Sequence, residues 1–427
     1  MLRPVTAADT DAVTRLLHLA FTGSREDARE WHSRIDAEHL RVFGSPAHGC
    51  LVLLPMAQCF GGRAVEMVGV QAVAVAPESR RRGTALAMMR DALREMHDGG
   101  VPLSSLFPSV SALYRRAGYG AAGGAYHTSI SLRELAALRR VDAEGSAPGR
   151  IPEDAITGTS ETIALDPSHD AALHACQASF AAGFDGAIPR PGFRWLSVIH
   201  RAGAEHEGYA VVAPGVDPRE RIEGFLFVGR RREGDAPAEA IVGDVAFRDA
   251  AAGRRLLSLL AGLAPTAPTA RLFVPPWHPF LALLGATGGS GASAAQALPV
   301  PIPWIESRCT EAWMLRIVRL PEAIAGRGWP RCAAASLRLD VRDDLLEGNG
   351  GSWVLDVEGG EGRLRRPSRA DDQPTVTLGI DALATIYAGW MRPGEAALAG
   401  LLAGDDGALA IADSLFPGPR PWLSDRF

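Results

Sequence analysis

Three consecutive arginines and a glycine form the strongest chemical signal in this chain. Val70 to Val75 is a near-continuous apolar run, Pro77 ends it, and Arg80, Arg81, Arg82, Gly83, Thr84 and Ala85 follow. Leu86, Met89, Leu93 and Met96 then recur at helical spacing. A strand buried on both faces, a basic turn and a helix start together make a ready anion site. Successive main-chain N–H groups can form a concavity for phosphate, and the helix dipole adds about half a unit of positive charge there. Gly83 lets a phosphate approach the main chain, Ala85 keeps bulk away, and guanidinium groups pair with phosphate oxygens. Arginines beside a helix N-terminus are unfavourable unless an anion is present, so pyrophosphate binding explains this turn better than a solvated arginine run does.

The elements that must position this turn have an α/β order. Thr6 and Asp9 have capping-box spacing, and Val13, Leu16, Leu17 and Ala20 share one helical face. Strand-like segments follow at Cys50–Gln58 and Val65–Val75, then the turn, its helix, a short strand at Pro102–Phe107 and a helix carrying Leu113 and Tyr114. Linker composition at 141–150 closes this block. The next block repeats the rhythm: strand to Phe247, helix Ala250–Leu263, strand Ala270–Val274, helix Trp277–Leu284. Prolines follow the second strand in both, at Pro108 and at Pro275 and Pro276, which points to a repeated domain. The second copy has Asp249, Gly253, Arg254 and Arg255 where the first has its basic turn, so one cofactor site per chain is expected. A second break runs from Gly285 to Gln296 and on through Pro299–Pro303. The last block is α+β: strands at Leu337–Val341 and Ser352–Val357 around a turn at Gly348–Gly351, then helices at Ile380–Trp390 and Pro393–Leu402. The expected domains are thus 1–140, 151–300 and 305–427.

Composition sets outer limits. The 427 residues predict two to four domains, and 47% hydrophobic with 22% charged residues describes a core-forming chain. A net charge of −5 and a pI near 6.1 give no electrostatic footprint for nucleic acid or an anionic membrane. No apolar run approaches a membrane span, and the first nine residues lack a secretory apolar core. Five scattered cysteines without Cys-x-x-Cys spacing point to neither disulfides nor a metal and fit a reducing cytoplasm. All 44 basic residues are arginine, so the chain contains no side-chain amine.

The strand, basic turn and helix resemble the GNAT acyltransferases, in which such a turn holds the acetyl-CoA pyrophosphate. That resemblance calls next for a strand and a helix with a tyrosine, and Leu106 to Gly120 supplies them as Tyr114, Gly118 and Tyr119 in a Y-x-x-x-G-[FY] pattern. Tyr114 then becomes the proton donor to the departing thiolate, against the plainer reading of a packing tyrosine. Tyr119 and Tyr126 read as structural. Main-chain N–H groups at Val73–Val75 are candidates for polarising the thioester carbonyl if the strand splays there.

Over nearly its full length the chain is similar to the Eis (enhanced intracellular survival) family: an active GNAT domain, a degenerate GNAT domain and a sterol-carrier-protein-like domain. The resemblance rests on Val73–Ala85 and Phe107–Gly120, with support from Glu311–Arg316 and the final Pro421–Phe427. It implies cofactor contacts at Val73, Ala74, Val75, Arg81, Arg82, Gly83, Thr84, Ala85, Leu86, Ser109 and Val110. It makes Tyr114 the general acid and the terminal carboxylate of Phe427, with an ordinary pKa near 3.5, the general base. Phe21, Glu26 and Trp31, with Asp27 and Glu30 beside them, are candidate substrate contacts; a plain surface loop and helix is the other reading. Arg426 next to the base would repel a polycation unless it pairs with Asp425 or turns away. The family further implies a homohexamer with a wide pocket, acting on aminoglycosides or other polyamines, acetylating at more than one position. Cys50 and Cys59 lack a base partner, so direct attack by the amine is expected. Acetylation of protein lysines or other cellular amines is the alternative enzyme reading. A lipid- or ligand-binding protein is the alternative from another class, opposed by the intact basic turn and by the lack of long apolar stretches in the last block.

Overall fold

The computed structural model describes residues 1–21, 23–136, 160–190, 203–285, 305–369, 371–418 and 420–427. The linker expectations at 141–150, 286–296 and 299–303 lie outside them. The chain divides into two compact units: Met1–Gly124 with Phe184–Ile188 and Glu311–Phe427, and Ala125–Gly183 with Pro189–Thr310.

In the first unit the chain forms β1 (Leu2–Pro4), α1 (Thr10–Phe21), α2 (Arg25–Ser33), β2 (Leu40–Phe43), β3 (Gly49–Phe60), β4 (Arg63–Val75), α3 (Thr84–Asp98), β5 (Leu103–Leu106) and α4 (Ser111–Arg115). Strands β1 to β4 pair antiparallel in order, and β5 joins β4 in parallel. Gly61 and Gly62, at φ +59° and +82°, make the two-residue turn between β3 and β4, which demands left-handed backbone at both positions. Burial of Val13, Leu16 and Leu17 seats α1 on the sheet. Ala20, expected on the same face, is exposed, as are Leu19 and Phe21 beside it, because the last turn of α1 runs past the core. β6 (Gly120–Ser131) leaves this unit at Gly124.

The second unit repeats the plan with β7 (Glu161–Ala164), α5 (Asp170–Ala181), β8 (His206–Val212), β9 (Gly224–Arg231), β10 (Glu239–Phe247), α6 (Ala250–Ala261), β11 (Thr269–Leu272) and α7 (Pro279–Gly285). β7 to β10 pair antiparallel in order and β11 joins β10 in parallel, matching β1 to β5. Even the register slip is repeated, between Val242 and Asp244 here and between Cys50 and Val52 in the first copy.

The last strand of each repeat is exchanged. Residues Thr128–Ser131 of β6 pair with β11 of the second unit. Met314–Ile317 of β12 (Ile305–Ile317) pair with β5 of the first. After β12 come α8 (Leu320–Gly326), β13 (Ala334–Arg342), β14 (Gly351–Glu358), β15 (Glu361–Arg365), β16 (Thr375–Gly379), α9 (Ile380–Tyr387), α10 (Pro393–Leu398), β17 (Leu402–Gly404) and α11 (Asp406–Leu415). Their five strands form a separate sheet in the order β15-β14-β13-β16-β17. Leu402, expected to end a helix, opens β17 instead, because Gly400 at φ +71° stops α10. β13 and β14 pair as expected, but the connection between them is Asp343–Gly350, since the buried Asn349 side chain ties it to Leu320 N (2.8 Å) and the Val318 carbonyl (3.0 Å).

Candidate active site

The site starts from a defect in β4. The register with β3 slips between Cys50 and Val52, and Ala72 takes φ +54°, a strained value for any residue but glycine. Parallel pairing with β5 covers only Met67–Gly69, while β4 runs on to Val75. β5 ends at Leu106, so beyond Gly69 the polar main chain of Val73–Val75 has no partner in β5 and can pair with an extended ligand.

Past β4, Arg81 and Gly83 adopt φ +59° and +79°, the left-handed backbone that turns made for anions use. Gly83 caps α3, whose first turn contains no acid and receives no capping side chain. Thr84 Oγ1 donates to the Ser79 carbonyl (2.9 Å), and Arg80 Nε donates to the Val75 carbonyl (3.1 Å), closing the turn onto β4. Arg80, Arg81 and Arg82 are exposed, and a side chain added at Gly83 would meet nothing within 4 Å. Ala85 and the buried Leu86 continue into α3. The second repeat lacks this basic turn and its left-handed residues. Asp249 caps α6 with its own carboxylate, accepting from Ala252 N at 2.8 Å, so an internal anion occupies the helix end that the first copy leaves bare.

Tyr114 sits in α4 and is 4% exposed. Burial pushes its phenol above the ordinary range, opposed by a side-chain hydrogen bond with Ser109, so it remains a proton carrier at neutral pH. Ser109 and Val110, before α4, are exposed. The Tyr119 ring lies 6.1 Å from that of Tyr114, and its hydroxyl is 2.8 Å from Ser104 Oγ, which fits a structural role. Tyr126 stacks edge-on with Trp277 in the second unit.

The Phe427 ring is buried on the opposite face of the first sheet. It meets Phe107 at 5.8 Å, and a Cβ built on Gly69 would lie 2.8 Å from it. The last residue thus rests where the pairing of β4 with β5 ends. The tail leading there is held by a bridge between Gly124 and Trp422, by Leu423 N donating to the Gly124 carbonyl (3.2 Å), and by Trp422 N donating to the Asp185 carbonyl (3.3 Å). Arg426 pairs with Glu311, at 3.1 Å, and Asp425 is buried. Phe21 is exposed and meets Trp31 edge-on at 5.4 Å, and Trp31 packs against the core cluster that contains Phe427. Glu26 is exposed in the first turn of α2, Asp27 is used with Ser24 to cap that helix, and Glu30 pairs with Arg34. Among the described residues Asp36, Glu38 and His39 are the one group of possible metal ligands, and no predicted site residue belongs to it. Sequence reasoning missed Ala72, whose strain has no residue signature, and Asp249's cap, which D-x-x-A before a helix did signal.

This arrangement has counterparts in known proteins. An acetyltransferase (GNAT) domain matches residues 1–122, and a sterol carrier protein domain matches residues 320–424. The fold is shared with a GCN5-related N-acetyltransferase from Anabaena variabilis, with a TM-score of 0.81 and 24% identity over 100% of both chains. The chain is an acyltransferase built on the GNAT fold with a sterol-carrier-protein-like domain behind it. An uncharacterised N-acetyltransferase of Streptomyces coelicolor is 28% identical over 385 residues, covering 86% of this chain and 82% of that protein. The N-acetyltransferase Eis of Mycobacterium tuberculosis is 25% identical over 398 residues, covering 90% and 88%. The chain is a homologue of the Eis N-acetyltransferases over most of its length. Acetyltransferases of this class take acetyl-CoA as co-substrate.

Proposed function

We propose that this enzyme acetylates primary amines of a small polyamine or aminoglycoside-like substrate by direct attack, with Tyr114 as general acid and the Phe427 terminal carboxylate as general base. The observation that carries the reading is the seat of the last residue: the Phe427 ring is buried against Gly69, where the parallel pairing of β4 with β5 ends, while Tyr114 packs in the core cluster on the other face of the sheet. Acetyl-CoA would supply an activated acetyl thioester. The residues present fit it: Arg81, Arg82, Gly83, Thr84, Ala85 and Leu86 offer a positive, uncapped helix start for its pyrophosphate, Val73, Ala74 and Val75 an open strand edge for its amides, and Ser109 and Val110 the adjoining wall. The carboxylate would take a proton from the substrate ammonium, and Tyr114 would hold one at its hydroxyl for the departing sulfur. The division into modules 1–140, 151–300 and 305–427, supported by the linker-like composition between them, and a cytoplasmic setting, supported by the scattered cysteines, belong to the same proposal; a homohexameric assembly and multi-site acetylation join it on the resemblance alone. No helix among the described residues is long and apolar enough to cross a membrane.

Replacing Tyr114 by Phe should lower kcat by roughly 10²-fold or more while acetyl-CoA affinity holds. Unchanged turnover in a thiol-release assay would remove the proton-donor role. The same assay on a panel of aminoglycosides, linear polyamines and a lysine peptide separates small amines from protein lysines as acceptors.

The Glu311–Arg426 pair bears on amine binding. With Glu311 present, Arg426, next to the final residue, is held by the Glu311 carboxylate. Glu311→Gln should raise KM for a polycationic amine about 2- to 5-fold, the size an exposed pair allows, with acetyl-CoA KM unmoved. Arg426→Gln added to it should restore the parent value; a double variant as poor as the single one would exclude this role.

A further inference from the structure

A fully buried cation lies beneath the turn that follows Tyr114. Arg316, on β12, is 0% exposed and donates through Nη2 to both carboxylate oxygens of Asp343, at 2.8 and 2.7 Å. Asp343 is fixed in turn by Leu345 N and Leu346 N (both 3.1 Å) and by Asn349 Nδ2 (3.0 Å), all from the connection between β13 and β14. The other guanidinium nitrogens, Nε and Nη1, are buried without a hydrogen-bond partner. Both face Gly118, where a Cβ would lie 2.9 Å from Cζ, 3.0 Å from Nε and 3.1 Å from Nη1. Gly118 is the glycine of the tyrosine motif, at φ +82°, and the amides on either side of it, Ala117 N and Tyr119 N, donate to the Tyr114 carbonyl at 2.9 and 3.1 Å.

A buried ion pair is a poor means of stabilisation compared with apolar residues of like volume, and two bare donors make this one poorer. Its geometry serves another purpose. We propose that Arg316, held by Asp343 of the sterol-carrier-protein-like part, is a positioning residue for Tyr114: its flat guanidinium is the seat on which the Gly118 turn closes, and the turn sets the phenol. The inference rests on the reading of Tyr114 as proton donor. It gives the C-terminal part a share in placing the acid as well as in supplying the base. The seat needs a plane, which lysine lacks.

The test is a double-mutant cycle on the full chain. Arg316→Met with Asp343→Leu replaces the pair by apolar residues, and Arg316→Lys keeps a charge opposite Asp343 should the apolar variant fold poorly. Each is made with Tyr114 intact and with Tyr114→Phe, and melting temperature, kcat and acetyl-CoA KM are measured. With Tyr114 intact, kcat should fall about tenfold or more at unchanged acetyl-CoA KM, the cost of a misplaced reacting group. In the Tyr114→Phe background the same replacements should cost less than about twofold, since no phenol remains to be misplaced. An equal loss in both backgrounds, or no loss with Tyr114 intact, overturns the positioning role while leaving the proton donor standing. A Tyr114→Phe enzyme with full kcat overturns both.

Discussion

An enzyme extended by a short peptide after Phe427 is expected to fold normally and to lose acetyl transfer. The extension converts a carboxylate into an amide, which cannot accept a proton near neutral pH. General base catalysis contributes roughly 10²- to 10⁴-fold, and a loss of that size is expected. The geometry makes the effect sharper than at an ordinary chain end. The Phe427 ring is buried between Phe107 and the bare main chain of Gly69, and the preceding residues are pinned to Gly124 and Asp185, so added residues must start from inside a filled socket. Phe427→Leu is the control: it keeps the carboxylate and loses only part of the socket packing, and it should retain more activity than the extended form. Both are read by thiol release at saturating acetyl-CoA. A C-terminally tagged protein with full turnover would show that the proton goes elsewhere.

Gly83→Val should abolish acetyl-CoA binding. At φ +79° a β-branched residue is strained, so the turn must shift, and with it the N–H groups of Thr84, Ala85 and Leu86. The space beside Gly83 is open, so the damage to folding is modest and the isopropyl group falls in the room an anion needs. Calorimetry should show no heat with the variant and about one site per chain with the parent enzyme. The stoichiometry follows from Asp249, whose carboxylate already caps the equivalent helix of the second repeat. Undiminished binding by Gly83→Val would mean that the pyrophosphate is held elsewhere.

Much of this was legible in the residues. The apolar run to Val75, the stop at Pro77 and the helical spacing after Ala85 gave β4, the turn and α3, because burial on two faces and helix periodicity both leave marks in sequence. The repeat showed through the same rhythm at Phe247 and Ala250. What stayed hidden depends on distant partners. Ala72 is strained because β4 carries one more residue than β3 across the slip, a fact of register and not of alanine. Arg426 finds Glu311, far away in sequence, where only its neighbour Asp425 was in view. Arg316 did leave a trace, a lone charge in the apolar run Trp313–Ile317, but nothing in the pattern pairs it with Asp343, 27 residues on. Strand exchange left none, since β6 and β12 can complete either repeat by pattern alone.

That exchange has a consequence for how the protein is born. The edge of β5 is covered by Met314–Ile317, so the catalytic half emerges from the ribosome with an open sheet edge at Leu103–Leu106. About 200 residues separate the two strands, a delay of roughly 10 to 40 s at typical translation speeds. During that interval the nascent chain exposes a template for adventitious strand addition, which makes it a natural client for holding chaperones and a poor candidate for expression as an isolated catalytic fragment.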